Sequence, residues 1–235
     1  MLNSLISELK SLANTEQARN LQRFFKTGKG DYGEGDIFLG IKMPVQRSVA
    51  KKYSSLSLAE LQILLNSKIH EHRMTALIIL LDKYKKAKKD VFNKRKIYEF
   101  YMKNTSNINN WDLVDISCPR IVGDFLSREG TETLRMLAKS DNLWEKRIAV
   151  VSTFALIKKR NLGESLAIAD MLLKDEHDLI HKAVGWMLRE VGKKNREVLE
   201  IFLKPRYNEM PRTMLRYAIE KFPEEKRKKY LKGEI

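Results

Sequence analysis

The sequence predicts an all-α protein. Apolar residues recur about every 3.6 positions along nearly the whole chain, and no run of alternating β-branched residues indicates a strand. The 235 residues include only 11 glycines and 5 prolines, a small share that suits helices joined by few turns. Hydrophobic residues make up 43% of the chain, which is enough to form a core and excludes a disordered protein.

The first helix is predicted at the N-terminus, where MLNSLISELKSL places leucine and isoleucine at helical spacing. This segment has no basic leader before an apolar block, so we expect no export signal. Polar or Gly/Pro-rich segments then divide the chain into helices of about 10 to 18 residues. The dividing segments are 27–36, 54–57, 104–110, 127–131, 139–142, 158–163, 174–178, 192–195 and 204–211.

The helices form a weak internal repeat. Similar segments read HRMTALIIL, KRIAVVSTF, HKAVGWMLR and LRYAIEKFP, and Ala149, Ala183 and Ala218 lie 34 and 35 residues apart. Helix pairs with this period are typical of an α-solenoid with HEAT-like or TPR-like repeats. We therefore predict one curved domain over 1–235, with N-terminal helices and a Gly-rich loop over 1–53 and HEAT-like repeats over about 56–235.

The charge is strongly positive. The chain has 45 Lys and Arg against 30 Asp and Glu, a net charge of +15. Basic residues stand near the start of each second helix, so stacking would line them along one concave surface that attracts a phosphate backbone. These residues are Arg73, Lys146, Arg147, Lys182 and Arg216. The runs DKYKKAKKD at 82–90 and KRKKYLK at 226–232 fit either solvated helix faces or polyanion contacts.

Several protein classes are excluded. The one cysteine, Cys118, rules out internal disulfides and multi-cysteine zinc sites, which favours a reducing cytoplasm. The longest apolar run reaches only from Ala76 to Leu81, too short for a membrane span.

Two motifs are weak. The segment GKGDYG at 28–33 matches the dinucleotide pattern G-x-G-x-x-G, but it follows a helical pattern instead of a strand. We interpret it as a loop whose backbone N–H groups can approach a ligand or phosphate. His177 and His181 stand four residues apart, and His70 and His72 flank a glutamate. Since H-E-x-x-H is absent, surface histidines are favoured over zinc ligands, and we predict no metal and no cofactor.

The segment NNWDLVDISCP is the most informative. Asn110 is a good N-cap, and in a helix that starts there Trp111 and Asp115 share one face. Pro119 cannot donate a hydrogen bond to the Asp115 carbonyl, so the helix is expected to kink or restart. Asp112 fits the ordinary role of an acidic residue in a first turn. Asp115, among apolar residues and beside a tryptophan, is a candidate functional carboxylate.

Five segments together resemble the AlkD-type DNA alkylation repair proteins, HEAT-like-repeat glycosylases that act on alkylated purines. The resemblance covers most of the chain. The segments are KTGKGDYGEGDIFLGIKMP at 26–44, NNWDLVDISCPRIVG at 109–123, LWEKRIAV at 143–150, HKAVGWMLREVGKKN at 181–195 and LRYAIEKFP at 215–223.

The resemblance implies roles for individual residues. Asp115 would be the catalytic carboxylate, Trp111 and Trp186 would be aromatic walls beside the damaged nucleotide, and Arg147 would grip the DNA backbone nearby. Further contacts with the DNA backbone would come from Arg189, Lys182, Lys146 and Lys42. Taken singly, each arginine also fits a surface role and each tryptophan a core role.

The implied chemistry is coherent. An N3- or N7-alkylated purine is a cation and a good leaving group, so one carboxylate that stabilises the positive sugar and orients water suffices. We expect a monofunctional DNA glycosylase that acts as a monomer on double-stranded DNA containing alkylated purines, in the cytoplasm and without a membrane. Two alternatives stay open: a non-catalytic module that binds structured DNA or RNA, and a solenoid that binds an acidic protein.

Overall fold

The computed structural model describes residues 1–235, and its regular secondary structure is helical, as predicted. A 3₁₀ turn spans Thr105–Asn107, and a π-helical turn spans Pro119–Gly123. The α-helices are α1 (Leu2–Ser11), α2 (Thr15–Phe24), α3 (Met43–Lys52), α4 (Leu58–Leu65), α5 (His70–Lys86), α6 (Val91–Met102), α7 (Trp111–Ser117), α8 (Asp124–Glu129), α9 (Glu132–Ala138), α10 (Leu143–Ser152), α11 (Phe154–Lys158), α12 (Gly163–Met171), α13 (Asp178–Lys194), α14 (Arg196–Leu203), α15 (Arg212–Ala218) and α16 (Glu224–Lys232).

The chain divides into two compact units, Met1–Leu113 and Val114–Ile235. Helix α7 begins in the first unit and continues into the second. The single curved domain expected from the sequence, with its concave basic face, stays a prediction. None of the helices combines the length and the apolar character that a membrane crossing needs.

Repeated helix pairs build the second unit. Helices α10, α13 and α15 pack side by side in that order, while α9 packs on α10, and α12 and α14 pack on α13. Each of the three central helices contributes one buried alanine of the predicted repeat: Ala149, Ala183 or Ala218. The alanine spacing therefore marks the helices that lie next to one another, and the repeat is confirmed in this unit.

Two residues divide helices that periodicity alone would make continuous. Because Pro119 has no N–H group to donate to the Asp115 carbonyl, α7 ends before it. The Gly123 N–H then donates to the Cys118 carbonyl at 2.9 Å, five residues back, which closes the π-helical turn. The Thr153 hydroxyl donates to the Val150 carbonyl at 2.6 Å and separates α10 from α11. The break at Pro119 is confirmed. The expected minimum of about 10 residues per helix is wrong for several helices, since α11 has only 5.

Helix α5 is the centre of the first unit, and α1, α3, α4 and α6 pack against it. The Gly-rich loop, residues 25–42, connects α2 to α3. Because it follows a helix and not a strand, it is not a dinucleotide-binding turn. An isolated parallel β-bridge between Ile37 and Ile69 joins the end of this loop to the start of α5.

The loop directs backbone N–H groups inward at its C-terminal end. The fully buried carboxylate of Glu71 accepts hydrogen bonds from the N–H groups of Leu39, Gly40 and Ile41 at 2.9, 2.8 and 3.2 Å. A buried carboxylate needs such donors because it has lost its hydration. The N–H groups of these three residues are therefore not available to an external ligand, while the expectation for residues 28–33 stays a prediction.

We expect Gly40→Ala to lower the free energy of unfolding by about 3 kcal/mol or more, because steric overlap adds to backbone strain. Gly40 has a φ of +83°, and a Cβ atom there would lie 2.2 Å from the Asn14 carbonyl oxygen and 2.6 Å from the Ala18 nitrogen. Urea-induced unfolding followed by circular dichroism measures the loss.

Gly35 is the matched control for Gly40. It has the same φ of +83°, but a Cβ atom at this position would meet nothing within 4 Å. Gly35→Ala should therefore cost only the left-handed strain, about 1 kcal/mol. Equal losses for the two variants would contradict a role for the close approach at Gly40.

Candidate functional site

A bidentate ion pair joins α7 to α10 in the second unit. The Nε and Nη2 atoms of Arg147 donate to Oδ1 and Oδ2 of Asp115 at 2.9 and 2.7 Å, and Nη1 donates to the Leu179 carbonyl at 2.6 Å. The Arg147 side chain is 6% exposed, whereas that of Asp115 is 20% exposed. The carboxylate therefore reaches solvent, while the guanidinium that holds it is enclosed.

This pair leaves Asp115 able to act on a ligand. A carboxylate has about four lone-pair sites, and the two bonds from Arg147 use one on each oxygen. Because 20% of the Asp115 side chain is exposed, the carboxylate can face water or a developing positive charge. Since Nε, Nη1 and Nη2 of Arg147 are all engaged inside the unit, this geometry favours Arg147 as the residue that orients Asp115, more than as a grip on DNA.

An aromatic stack lies in the first unit. Phe25 is stacked between Phe38 and Trp111, with ring centroids 5.1 and 5.2 Å apart and interplanar angles of 14° and 25°. Phe24 is 64% exposed and meets Trp111 edge-on at 5.9 Å. Trp111 is thus half-buried with Phe25 against its ring, and Phe24 presents a further aromatic surface beside it.

A buried ion cluster of Asp36, His70, Arg73 and Asp112 lies at the start of α5. The two ring nitrogens of His70 face carboxylate oxygens, with Nδ1 3.3 Å from Asp36 Oδ2 and Nε2 2.9 Å from Asp112 Oδ2. Arg73 Nη2 donates to Asp36 Oδ1 at 2.7 Å. Because both ring nitrogens face acceptors, both carry hydrogen and His70 is a cation. Asp112 directly follows Trp111, so the cluster fixes the turn of α7 that carries this tryptophan.

The charges of the cluster support one another. Burial lowers the pKa of His70, but the charge and hydrogen bond of Asp112 and the hydrogen bond of Asp36 outweigh burial and raise the pKa to about 9. For Asp36, burial acts to raise the pKa, yet the hydrogen bond from His70 and the charge of Arg73 bring it below its usual value. Both shifts favour two carboxylates and two cations, which balance in charge.

Three sequence-based predictions are wrong at this cluster. His70 and His72 are buried, not surface histidines, and Arg73 is buried and so cannot contribute to an exposed basic surface. For His70 and Arg73 the physical reason is that their partner Asp36 lies in a distant segment, so no local pattern reveals the pairing. His72 instead contacts the Ser67 hydroxyl at 3.0 Å within its own segment. No group of three or more His, Cys, Asp or Glu side chains is placed to hold a metal ion.

The tryptophans named from the sequence lie in different helices. Trp111 is the first residue of α7, where its N–H donates to Asn110 Oδ1 at 2.8 Å, and it stands one turn before Asp115. Trp186 lies half-buried in α13, 6.1 Å from Phe154 between ring centroids. Their convergence with Asp115 on one nucleotide stays a prediction. Sequence reasoning missed Phe24, whose only local signal is the Phe-Phe pair at the end of α2.

Three of the four predicted DNA-backbone cations form ion pairs within the second unit. They are Arg189 with Glu220, Lys146 with Asp175 at 2.8 Å and Lys182 with Asp178 at 2.6 Å. Lys42 lies in the first unit, where it is exposed and precedes the first residue of α3. Contacts of these four residues with DNA stay predictions.

Comparisons with known proteins agree with this structure. Residues 5–222 match the family described as DNA alkylation repair enzyme. The chain is 19% identical to a predicted DNA alkylation repair enzyme from Enterococcus faecalis, with a TM-score of 0.67 over 90% of this chain and 97% of that one. AlkD2 from Streptococcus mutans gives 19% identity and a TM-score of 0.55, covering 89% and 98%.

The protein smu.31 from Streptococcus mutans UA159 is 18% identical, with a TM-score of 0.54 over 86% of this chain and 94% of that one. None of the curated proteins matches the chain. At these identities the structural similarity supports the fold alone, and it confirms the predicted class of all-α helical-repeat protein.

We expect His70 to make stability depend on pH. Its pKa is about 9 in the folded protein and 6.5 in the ordinary state, so the stabilisation is complete below pH 6.5 and is lost as the pH rises through 9. The stabilising contribution is at most about 3 kcal/mol. The measurement is the free energy of unfolding of the wild type and of His70→Gln between pH 6 and 10.

The difference in free energy of unfolding between the wild type and His70→Gln should shrink between pH 6 and 10. The other titrating groups contribute equally to both proteins and cancel in this difference. A difference that stays constant would show that His70 does not titrate there. If His70→Gln does not fold, the imidazole resonances of the wild type can be followed by NMR, and a midpoint near 6.5 for His70 would likewise contradict the buried cation.

Arg147→Lys should destabilise the protein by about 2 to 4 kcal/mol, because one ammonium cannot replace both bonds to Asp115 and the bond to Leu179 in a buried position. Arg206→Lys is the matched control, since Arg206 pairs with Asp170 at 2.6 Å where both side chains are partly exposed. That variant should lose less than about 1 kcal/mol in the same urea titration. Similar losses would mean that the Asp115 pair behaves as a surface ion pair.

Proposed function

Because the chain belongs to the DNA alkylation repair enzyme family, we propose that it is a monofunctional DNA glycosylase that hydrolyses the N-glycosidic bond of N3- or N7-alkylated purines in double-stranded DNA. The observation that carries the proposal is the partly exposed carboxylate of Asp115, oriented by two hydrogen bonds from the buried Arg147.

The reaction needs no protein group that donates a proton to the leaving base, so this carboxylate suffices for the chemistry. The C1′–N bond breaks and its electron pair leaves with the base, which departs as a neutral molecule because the alkylated purine is a cation. The sugar becomes positively charged, and water adds to C1′ with loss of a proton. An aspartate beside C1′ stabilises the sugar cation and directs the water, an effect of about 3 to 4 kcal/mol for one well-placed group.

The aromatic residues supply recognition. In the proposal, Trp111 and Trp186 lie against the damaged nucleotide, where the face of an indole ring favours a cationic base by about 0.5 to 2 kcal/mol. Phe24 is exposed next to Trp111 and extends that aromatic surface. The net charge of +15 favours association with the DNA backbone over neutral substrates.

Asp115→Asn should lower the single-turnover rate of 7-methylguanine release from methylated duplex DNA by about 100-fold or more, because asparagine keeps an acceptor for Arg147 but loses the negative charge. Asp170→Asn is the matched control: it makes the same chemical change in the same unit and weakens another Asp–Arg pair. Its rate should equal that of the wild type.

Equal rates for Asp115→Asn and the wild type would remove Asp115 from the mechanism. Duplex binding by the wild type without any base release would instead support a non-catalytic DNA-binding module. Circular dichroism melts of both variants separate a loss of chemistry from a loss of fold.

A further inference from the structure

The turn between α5 and α6 concentrates positive charge. Residues 82–96, here termed the lysine-rich turn, contain eight Lys and Arg against two Asp, which is a net charge of +6. Lys85, Lys88, Lys89 and Lys96 are exposed and form no ion pair. In the C-terminal helix α16, by contrast, Lys226, Lys228 and Lys232 pair with glutamates. The charges of Lys85, Lys88, Lys89 and Lys96 are thus available to an external anion.

Apolar side chains protrude from the same turn. Phe92 is 77% exposed and Val91 is also exposed, both in the first turn of α6. Exposure of a large aromatic side chain to water is unfavourable in the free protein, and contact with a partner would bury it. Asp90 accepts a hydrogen bond from the Asn93 N–H at 3.0 Å and caps α6, so the turn that presents Phe92 is ordered.

The backbone at the tip retains a lysine where glycine is favoured. Lys88 has a φ of 45°, directly after the C-cap of α5. A non-glycine residue is strained in this left-handed conformation, and glycine is the common choice after a helix C-cap. Lys88 thus keeps a positive charge in the lysine-rich turn, at a position where glycine would make the folded protein more stable.

The lysine-rich turn is distant from the ion cluster. Helix α5 has 17 residues, with His70 at its first position, so a rise of 1.5 Å per residue places its far end about 25 Å away. A nucleotide held beside Trp111 therefore does not reach the turn. The turn faces either a remote part of the same duplex or another DNA segment.

We propose that the lysine-rich turn is a second DNA-binding surface, which holds another segment of duplex through Lys85, Lys88 and Lys89 while Phe92 packs on the sugars or wedges into the minor groove. The choice of DNA as the partner rests on the proposed function. Neutralising phosphates with lysine releases counterions, and apolar wedges beside cations are a feature of minor-groove binding. An anionic membrane fits less well, because its binding needs a broad apolar helix face and this turn exposes only two large apolar residues. With two surfaces, the protein passes directly from one duplex to another.

Direct transfer is measured by stopped-flow dissociation from a short fluorescent duplex in the presence of increasing unlabelled duplex. For the wild type, the rate of dissociation should rise with competitor concentration, since the competitor binds before the first duplex leaves. The variant Lys85→Gln/Lys88→Gln/Lys89→Gln should lose this dependence, and Phe92→Ser should weaken it. For the triple variant, the slope of the logarithm of the binding constant for the second duplex against the logarithm of salt concentration should become less steep by about 3, since three phosphate contacts are lost.

The matched control is Lys228→Gln/Lys229→Gln/Lys232→Gln in α16, which removes the same charge from three exposed lysines and should keep the competitor dependence. Release of 7-methylguanine from the short duplex should be the same in all variants. A failure of the proposed function would therefore appear as a lack of base release, whereas a failure of the second surface would appear only in the dissociation rates. A wild-type rate that is independent of competitor overturns the proposal. So does an equal loss in both triple variants, or binding of the wild type to phosphatidylserine vesicles but to no second duplex.

Discussion

A positively charged histidine between two carboxylates is the constraint on which the first unit depends. His70, Asp36 and Asp112 come from three separate segments, and none of these groups can be withdrawn from the interior without leaving a charge uncompensated. The cluster therefore fixes the end of the Gly-rich loop, the start of α5 and the first turn of α7 together. The aromatic stack rests on it, because the His70 ring lies on Phe38 with centroids 4.5 Å apart.

The second unit uses a similar arrangement on the same helix. Asp112 and Asp115 both lie in α7, and each is bound, within its own unit, by a cation near the start of a long second helix: His70 in α5 and Arg147 in α10. The two carboxylates are about equally exposed, 17% for Asp112 and 20% for Asp115, but they differ in their partners. Asp112 accepts from the Leu113 N–H besides His70, whereas Asp115 accepts two bonds from Arg147. The choice of Asp115 over Asp112 for the chemistry therefore rests on the family resemblance and not on solvent access.

Local patterns of the sequence predicted what depends on neighbours along the chain. Helical periodicity, the alanine spacing of the repeat and the break at Pro119 are such features, and the structure confirms them. The pairings of charged groups were not predictable: Asp36 with His70 and Asp115 with Arg147 are 34 and 32 residues apart, and no local motif encodes them. For that reason Arg73 and His70 were expected at the surface, although both are buried. Phe24 was missed for a different reason, since its only local signal is the Phe-Phe pair at the end of α2. The roles of Trp111, Asp115 and Trp186 came from family resemblance, not from local chemistry.

The internal carboxylate of Glu71 has a consequence for selectivity. It already occupies three amide hydrogens that a glycine-rich segment would otherwise present to phosphate esters, as a tethered competitor at very high local concentration. Free nucleotides and inorganic phosphate, which are abundant in cells, therefore gain nothing from these three N–H groups. A strongly cationic chain is thereby protected from one source of unproductive small-anion capture.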